Sequence, residues 1–437
     1  MVCLQLALLG AAALAGLSAA APAPATTSSS SPSPKGHRQK TLVVFGDSLS
    51  DIGSGWKLAN FDSNYQPPPW FEGRFSSGFV WNEWTADDLN MTLANYAYGG
   101  ATSDNSFVNG TVPSVADQVV MYGKQKDADR YVSPDEDVVA VEIGSNDIFH
   151  SVTMLAIADE ATVSQFAKNL TSNIITAVDK LAGYGYKSFL VFNIPPIQIT
   201  PMVVKMNLTS LVAPIVDGIN SQYSNAVNAY KKDHPKLNVT LVDTSSLTAT
   251  IAQNLLPDLN IKHNDTSCVV TDQKNHTTFC TNPDEYFFMD AVHPTRLPHR
   301  LIGYIVSKII QDNTYKATVD DMREMIKAHR IRNAYEAVEV TEYQADGSIA
   351  DINSQIKNQA TRAESTAQMV NNGFATPYSL DENSGLASDE EDSWLESDGS
   401  ASHTKSHTTN TSSKNSAGSI ASLSIGAGVA LLACIFA

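Results

Sequence analysis

Four short blocks of the chain hold residue types that together could open an ester. They are Phe45-Gly46-Asp47-Ser48-Leu49-Ser50-Asp51, Asn95-Tyr96-Ala97-Tyr98-Gly99-Gly100-Ala101, Gly144-Ser145-Asn146-Asp147 and Asp290-Ala291-Val292-His293. A serine hydroxyl is a weak nucleophile until a base takes its proton as it attacks. Imidazole titrates near neutrality, which suits His293 to that task. Asp290 lies three residues earlier, so a turn can bring its carboxylate to His293 Nδ1 and fix the tautomer. The Asn146 side chain and a glycine amide at Gly100 are donors of the kind that hold an oxyanion. Serine attack on a carboxylic ester, through an acyl-enzyme on Ser48, is the chemistry these parts imply.

Each block also has a plainer reading. Ser48 or Asp47 could cap a helix, Gly99-Gly100 could be a tight turn needing positive φ, Asn146 could end a strand, and His293 could be a turn residue before Pro294. Their joint occurrence favours the chemical reading. Asp47, Asp51 and Asp147 flank the blocks and could suit glycoside chemistry or a metal. The neighbouring serine and amides already account for the local pattern, so neither a metal nor a cofactor is expected. The aromatic cluster Trp56, Phe61, Tyr65, Trp70, Phe71, Phe75, Phe79, Trp81 and Trp84 reads first as core and loop packing. A sharper alternative is a wall beside the site on which sugar or acyl groups stack.

The elements that must position these blocks follow from periodicity. Thr41–Phe45, Asp137–Ile143, Ser188–Asn193 and Val239–Asp243 are near-continuous apolar runs, as buried parallel strands should be. Phe166, Leu170, Ile174, Val178 and Leu181 mark one helical face; Val212, Ile215, Ile219, Tyr223 and Val227 mark another. Strands alternating with such helices predict an α/β sandwich around a parallel sheet. In that architecture sites gather at the carboxyl ends of strands, where Ser48 and Asn146 fall.

The four blocks resemble those of the SGNH, or GDSL, esterase/lipase family. The likeness covers roughly residues 41–310, and Gly73-Arg74-Phe75-Ser76-Ser77-Gly78 with Trp81 is similar to a further stretch of its plant-type and fungal branches. The resemblance implies a flavodoxin-like three-layer α/β/α domain without a metal cofactor. It further implies Ser48 as nucleophile, His293 as base and Asp290 as its orienting partner. The oxyanion hole would be made by the Ser48 and Gly100 N–H groups and the Asn146 side chain.

Outside the domain, composition sets the context. Residues 1–21 read as a secretory signal peptide closing near Ala20 or Ala21. Residues 22–40 form a Ser/Thr/Pro-rich leader, and 41–315 the hydrolase domain. Residues 316–372 are a polar extension with a helix-like stretch around Met322–Val340. Residues 373–415 read as an acidic, Ser/Thr-rich stalk. Segment 416–437 matches a GPI-attachment signal with Asn415 or Ser416 as the attachment residue; its apolar run of thirteen residues would rise only about 20 Å as a helix. Cys268 and Cys280 are expected to pair in a disulfide. Sequons occur at Asn90, Asn109, Asn169, Asn207, Asn238, Asn264, Asn275 and Asn410, pointing to a glycosylated exterior. The net charge of −17 is concentrated in places: residues 381–400 hold eight carboxylates and no Lys or Arg. No basic patch appears, so nucleic acid is not an expected partner.

The expected localisation is therefore the cell surface or wall, with the membrane engaged only through a GPI anchor. Within the family reading, short acyl esters, especially acetyl groups on carbohydrate, are favoured, and a lipase or phospholipase is the alternative. A different class, a catalytically silent binding protein on the same fold, stays open because fold alone does not prove turnover. Oligomeric state is not legible in the sequence.

Overall fold

Buried runs of Val, Leu, Phe and Ala form five parallel strands: β1 (Thr41–Gly46), β2 (Thr92–Asn95), β3 (Val138–Glu142), β4 (Ser188–Phe192) and β5 (Asn238–Val242). The computed structural model describes residues 39–59, 70–125, 133–272 and 277–333, with the backbone of 342–343 and 349–350. The signal peptide, the leader up to residue 38, the stalk, the GPI signal with Asn415 and Ser416, the sequons at Asn275 and Asn410, and Phe61 and Tyr65 lie outside the described residues. The helices are α1 (Ser54–Leu58), α2 (Trp81–Asp88), α3 (Val115–Gln125), α4 (Ser145–Ile157), α5 (Glu160–Gly183), α6 (Pro201–Lys205), α7 (Thr209–Asp233), α8 (Thr244–Asn254), α9 (Arg296–Gln311) and α10 (Val319–Ala328).

The strand order is β2-β1-β3-β4-β5, with two-residue strands at Glu342–Tyr343 and Ile349–Ala350 extending the sheet beyond β2. This is the 2-1-3-4-5 order of flavodoxin-like sheets, whose direction of winding reverses between β1 and β3. Successive residues of a strand face opposite sides, and β1 divides accordingly. Val43 and Phe45 pack under α3, α4, α5 and α7; Leu42 and Val44 pack under α2, α8, α9 and α10. The molecule is thus the three-layer α/β/α sandwich expected from the sequence. The faces read from periodicity on α5 and α7 are buried throughout.

Strand β2 was not anticipated: Thr92-Leu93-Ala94-Asn95 is too short and mixed to stand out, and it is defined by its pairing with β1. The helical signal at Met322–Val340 corresponds to α10, which begins at Val319, ends at Ala328 and buries Met322, Met325 and Ile326. The carbonyl groups beyond it are held by Arg300 of α9, which donates to His329 O at 2.9 Å and stacks over Trp84 at 4.4 Å. The first part of the polar extension therefore packs on the α9 side of the sandwich. The asparagines of the six described sequons are all exposed. Among the described residues no helix is long and apolar enough to cross a membrane.

Candidate active site

The chain leaves β1 at Gly46 and turns at once, with Ser50 N–H donating to Asp47 O at 3.1 Å. Two amides grip this turn from outside: Asn82 Nδ2 and Asn95 Nδ2 donate to Ser50 O at 2.8 and 2.7 Å. On the other side Gln118 of α3 pairs with both backbone groups of Gly46, each at 2.9 Å. Ser48 is therefore held at the carboxyl end of β1 by three elements, and the residue is 7% exposed.

The second block is fastened to the first by Asp51, which accepts the N–H groups of Gly53 and Ser54, of Gly55 and of Gly99. Burial pushes the Asp51 carboxyl up, and these four donors pull it back down. Gly99 has a packing reason as well: a Cβ there would meet the Phe75 ring at 2.1 Å. Gly100 has φ of +81°, so its place in the turn favours glycine. Asn146, in the first turn of α4, donates from Nδ2 to Ala101 O at 2.8 Å, which leaves one amide hydrogen for another acceptor. Among the described residues the Ser48 and Gly100 N–H groups have no acceptor.

The fourth block follows a short strand at Tyr286–Phe288. Asp290 Oδ1 accepts the N–H groups of Val292 and His293 at 3.0 and 2.9 Å, folding the turn around its own carboxylate. His293 Nδ1 lies 2.9 Å from both Asp290 oxygens, and His293 Nε2 lies 2.8 Å from Ser48 Oγ. Burial opposes ionisation of Asp290 most strongly, but the charge of His293 and the hydrogen bonds from His293 and Val292 together hold its carboxyl below the ordinary range. With Asp290 accepting at Nδ1, the neutral imidazole presents an unprotonated Nε2 to the serine.

Serine, histidine and aspartate thus meet as the sequence proposed, and the amide donors lie around the same cavity. That cavity, about 790 Å³, is lined by all three groups together with Gly100 and Asn146. Its remaining walls are largely apolar, including Trp70, Phe75, Phe149, Phe192 and Ile197. A second cavity of about 440 Å³ lies at the amino ends of the strands, against Lys40, Val138 and Asn238, away from Ser48.

Some members of the aromatic cluster pack in the core and others line the cavity. Phe71, Phe79 and Trp84 are core. Trp70 lines the cavity and donates its indole N–H to Asp290 Oδ2 at 3.3 Å, and Phe75 packs on the His293 ring at 4.9 Å between centroids. The flanking carboxylates have separate duties. Asp147, pushed up to about 6 by burial, accepts the N–H and Oγ–H of Ser103. Sequence reasoning missed the roles of Asn82, Gln118 and Glu142, which depend on how α2, α3 and β3 pack against the turn after β1. It also missed the indole bond to Asp290. Cys268 and Cys280 are joined by a disulfide.

Comparison with known proteins matches the GDSL-like Lipase/Acylhydrolase profile to residues 42–306. Thermolabile hemolysin of Vibrio parahaemolyticus is 24% identical over 291 residues, covering 62% of this chain and 63% of its own. Phosphatidylcholine-sterol acyltransferase of Aeromonas hydrophila is 33% identical over 168 residues, covering 37% of this chain and 46% of its own. An acetylesterase of Hypocrea jecorina is 26% identical over 196 residues, covering 41% and 52%. The matched regions span less than two thirds of each of these relatives.

Proposed function

The chain belongs to the GDSL-like lipase/acylhydrolase family, and on that premise we propose that it is a serine carboxylic-ester hydrolase. The observation that carries this reading is the hydrogen-bonded relay from Asp290 through His293 to Ser48 Oγ, opening on one cavity. Ser48 Oγ attacks the ester carbonyl carbon while His293 Nε2 takes its proton. The carbonyl oxygen becomes an oxyanion, which the Ser48 and Gly100 N–H groups and Asn146 Nδ2–H receive. The intermediate collapses, the alcohol departs with the proton from His293, and the acyl group stays on Ser48. Water, activated by the same imidazole, then releases the acid and restores the serine. Asp290 holds the imidazole in place and stabilises it while it carries the proton.

The cavity bears on the substrate. At about 790 Å³ and largely apolar, it is in the range that encloses a drug-sized ligand, more than an acetyl group needs. This supports esters with longer acyl chains over the acetyl preference drawn from the family. Acetylated carbohydrate is the second reading, favoured by half-buried Trp70 beside Asp290, since an indole face suits sugar stacking. Exposed sequons and the disulfide support an oxidising, secretory route, and the sequence of residues 416–437 supports a GPI-anchored cell-surface protein.

Initial rates on p-nitrophenyl esters from acetate to palmitate, for wild type and Ser48→Ala, test the function. The expected result is a rate that rises beyond acetate and is abolished by Ser48→Ala. A peak at acetate moves the substrate to acetyl esters. No Ser48-dependent rate on any chain, with no labelling by a fluorophosphonate, makes the protein a binding module instead.

A further inference from the structure

Behind the nucleophile lie two buried carboxyl groups that the mechanism above does not use. Asp47 is 1% exposed and precedes Ser48; Glu142 is 2% exposed and ends β3 directly opposite Gly46. Asp47 Oδ1 accepts Leu49 N–H at 3.0 Å, on the far side of Ser48. Glu142 Oε2 accepts Ser50 Oγ–H at 3.0 Å, and Ser50 Oγ accepts the Trp81 indole N–H at 3.0 Å. The pair therefore holds the two residues that follow the serine.

With both groups ionised, Asp47 Oδ2 has no donor among the described residues. The side chains of Asp47 and Glu142 interact, and two carboxyls can form a hydrogen bond only when one of them carries a proton. Burial, and for Asp47 the neighbouring Glu142 charge, push both groups above the ordinary carboxylate range, so the pair keeps a proton at a pH where a free carboxyl has lost it. The groups that face the pair are Ser50, Trp81 of α2, the His293 imidazole and the Tyr223 phenol of α7, which donates to Ile143 O at 2.7 Å.

We propose that Asp47 and Glu142 share one proton whose hydrogen bond fixes the turn of residues 47–50 and so aims Ser48 Oγ at His293, which makes Glu142 a positioning residue. This rests on Ser48 being the nucleophile. Losing the proton puts two negative charges in one buried site, and the anchor of the turn becomes a repulsion. Glutamine at 142 can donate to Asp47 and accept from Ser50 with no proton to lose; alanine can do neither.

Two measurements test the shared proton. Infrared spectra of the resting protein at about pH 8, where Asp147 has ionised, are expected to contain a protonated-carboxyl C=O band that Glu142→Gln removes. In kinetics, the wild-type kcat is expected to fall on the alkaline side as that band disappears. Glu142→Gln loses this alkaline fall, while Glu142→Ala lowers kcat about 10- to 100-fold with little change in KM. Absence of the acid band, or an alkaline fall in Glu142→Gln that superposes on the wild type, overturns the proposal. The infrared arm needs only wild type and Glu142→Gln, so it decides the matter even where Glu142→Ala does not fold. Activity that survives Ser48→Ala would instead defeat the reading of Ser48 as nucleophile and leave the band unaffected.

Discussion

Asn146 reaches the site with one amide hydrogen already committed to Ala101 O. That bond fixes the plane of the side chain, so the remaining hydrogen is held rather than free to rotate, and a pre-oriented donor costs no reorganisation when charge develops. Asn146→Ala is expected to lower kcat about 10²–10³-fold with KM little changed. Asn146→Asp, nearly the same shape, should do no better, because an ionised carboxylate cannot donate. Steady-state kinetics check this, and a loss below tenfold in both variants would remove Asn146 from the oxyanion hole. Ser48, Gly100, Asn146, Asp290 and His293 were legible in the sequence because each sits in a compact block with its own turn chemistry. Glu142 was not. In the run Asp137–Ile143 it looks like one position of a buried strand, and only the register opposite Gly46 puts its carboxyl behind Ser48.

At the scale of elements, periodicity carried β1, β3, β4, β5, α5 and α7, since a buried strand or helix face repeats its apolar residues at its own period. Elements whose existence depends on partners were not legible. One of these is the hairpin of Val269–Thr271 and Thr277–Phe279, closed by Cys268–Cys280. Val269 N–H donates to Met289 O at 2.8 Å and Met289 N–H to His293 O at 2.7 Å, so the turn carrying Asp290 and His293 hangs from this hairpin. Val269 and Thr271 also line the cavity. Cross-linking a loop of this length restricts the unfolded chain by about 3 kcal/mol. The paired variant Cys268→Ser, Cys280→Ser is therefore expected to unfold at lower denaturant and to lose part of its kcat/KM. Denaturant melts and ester kinetics read the two effects. An unchanged midpoint would mean that the hairpin is held by its strand bonds alone.

Over the whole molecule, the sheet collects acidic groups at the edge where it works. Asp47, Asp51, Glu142 and Asp147 are buried there, and burial raises each of them above the ordinary carboxylate range. A group raised on folding favours the folded state while it is protonated in both states, and that stability is lost as pH climbs through the folded value. For Asp147 the window runs from the ordinary value near 4 to about 6, a loss of about 3 kcal/mol. The Asp47–Glu142 pair acts in the same direction at higher pH. Asp290, held low by His293 after burial is offset, acts oppositely, and its contribution is lost only as pH falls below the ordinary range. Thermal unfolding is therefore expected at a higher midpoint near pH 5 than near pH 8, although net charge of −17 at pH 7 adds a repulsion of the same sign. Asp147→Asn separates the two, because it removes one buried ionisation and only one charge from the total. Its midpoint should fall less between those pH values than that of the wild type. An equal fall in both proteins would assign the pH dependence to net charge and leave the buried carboxyls without a share in it.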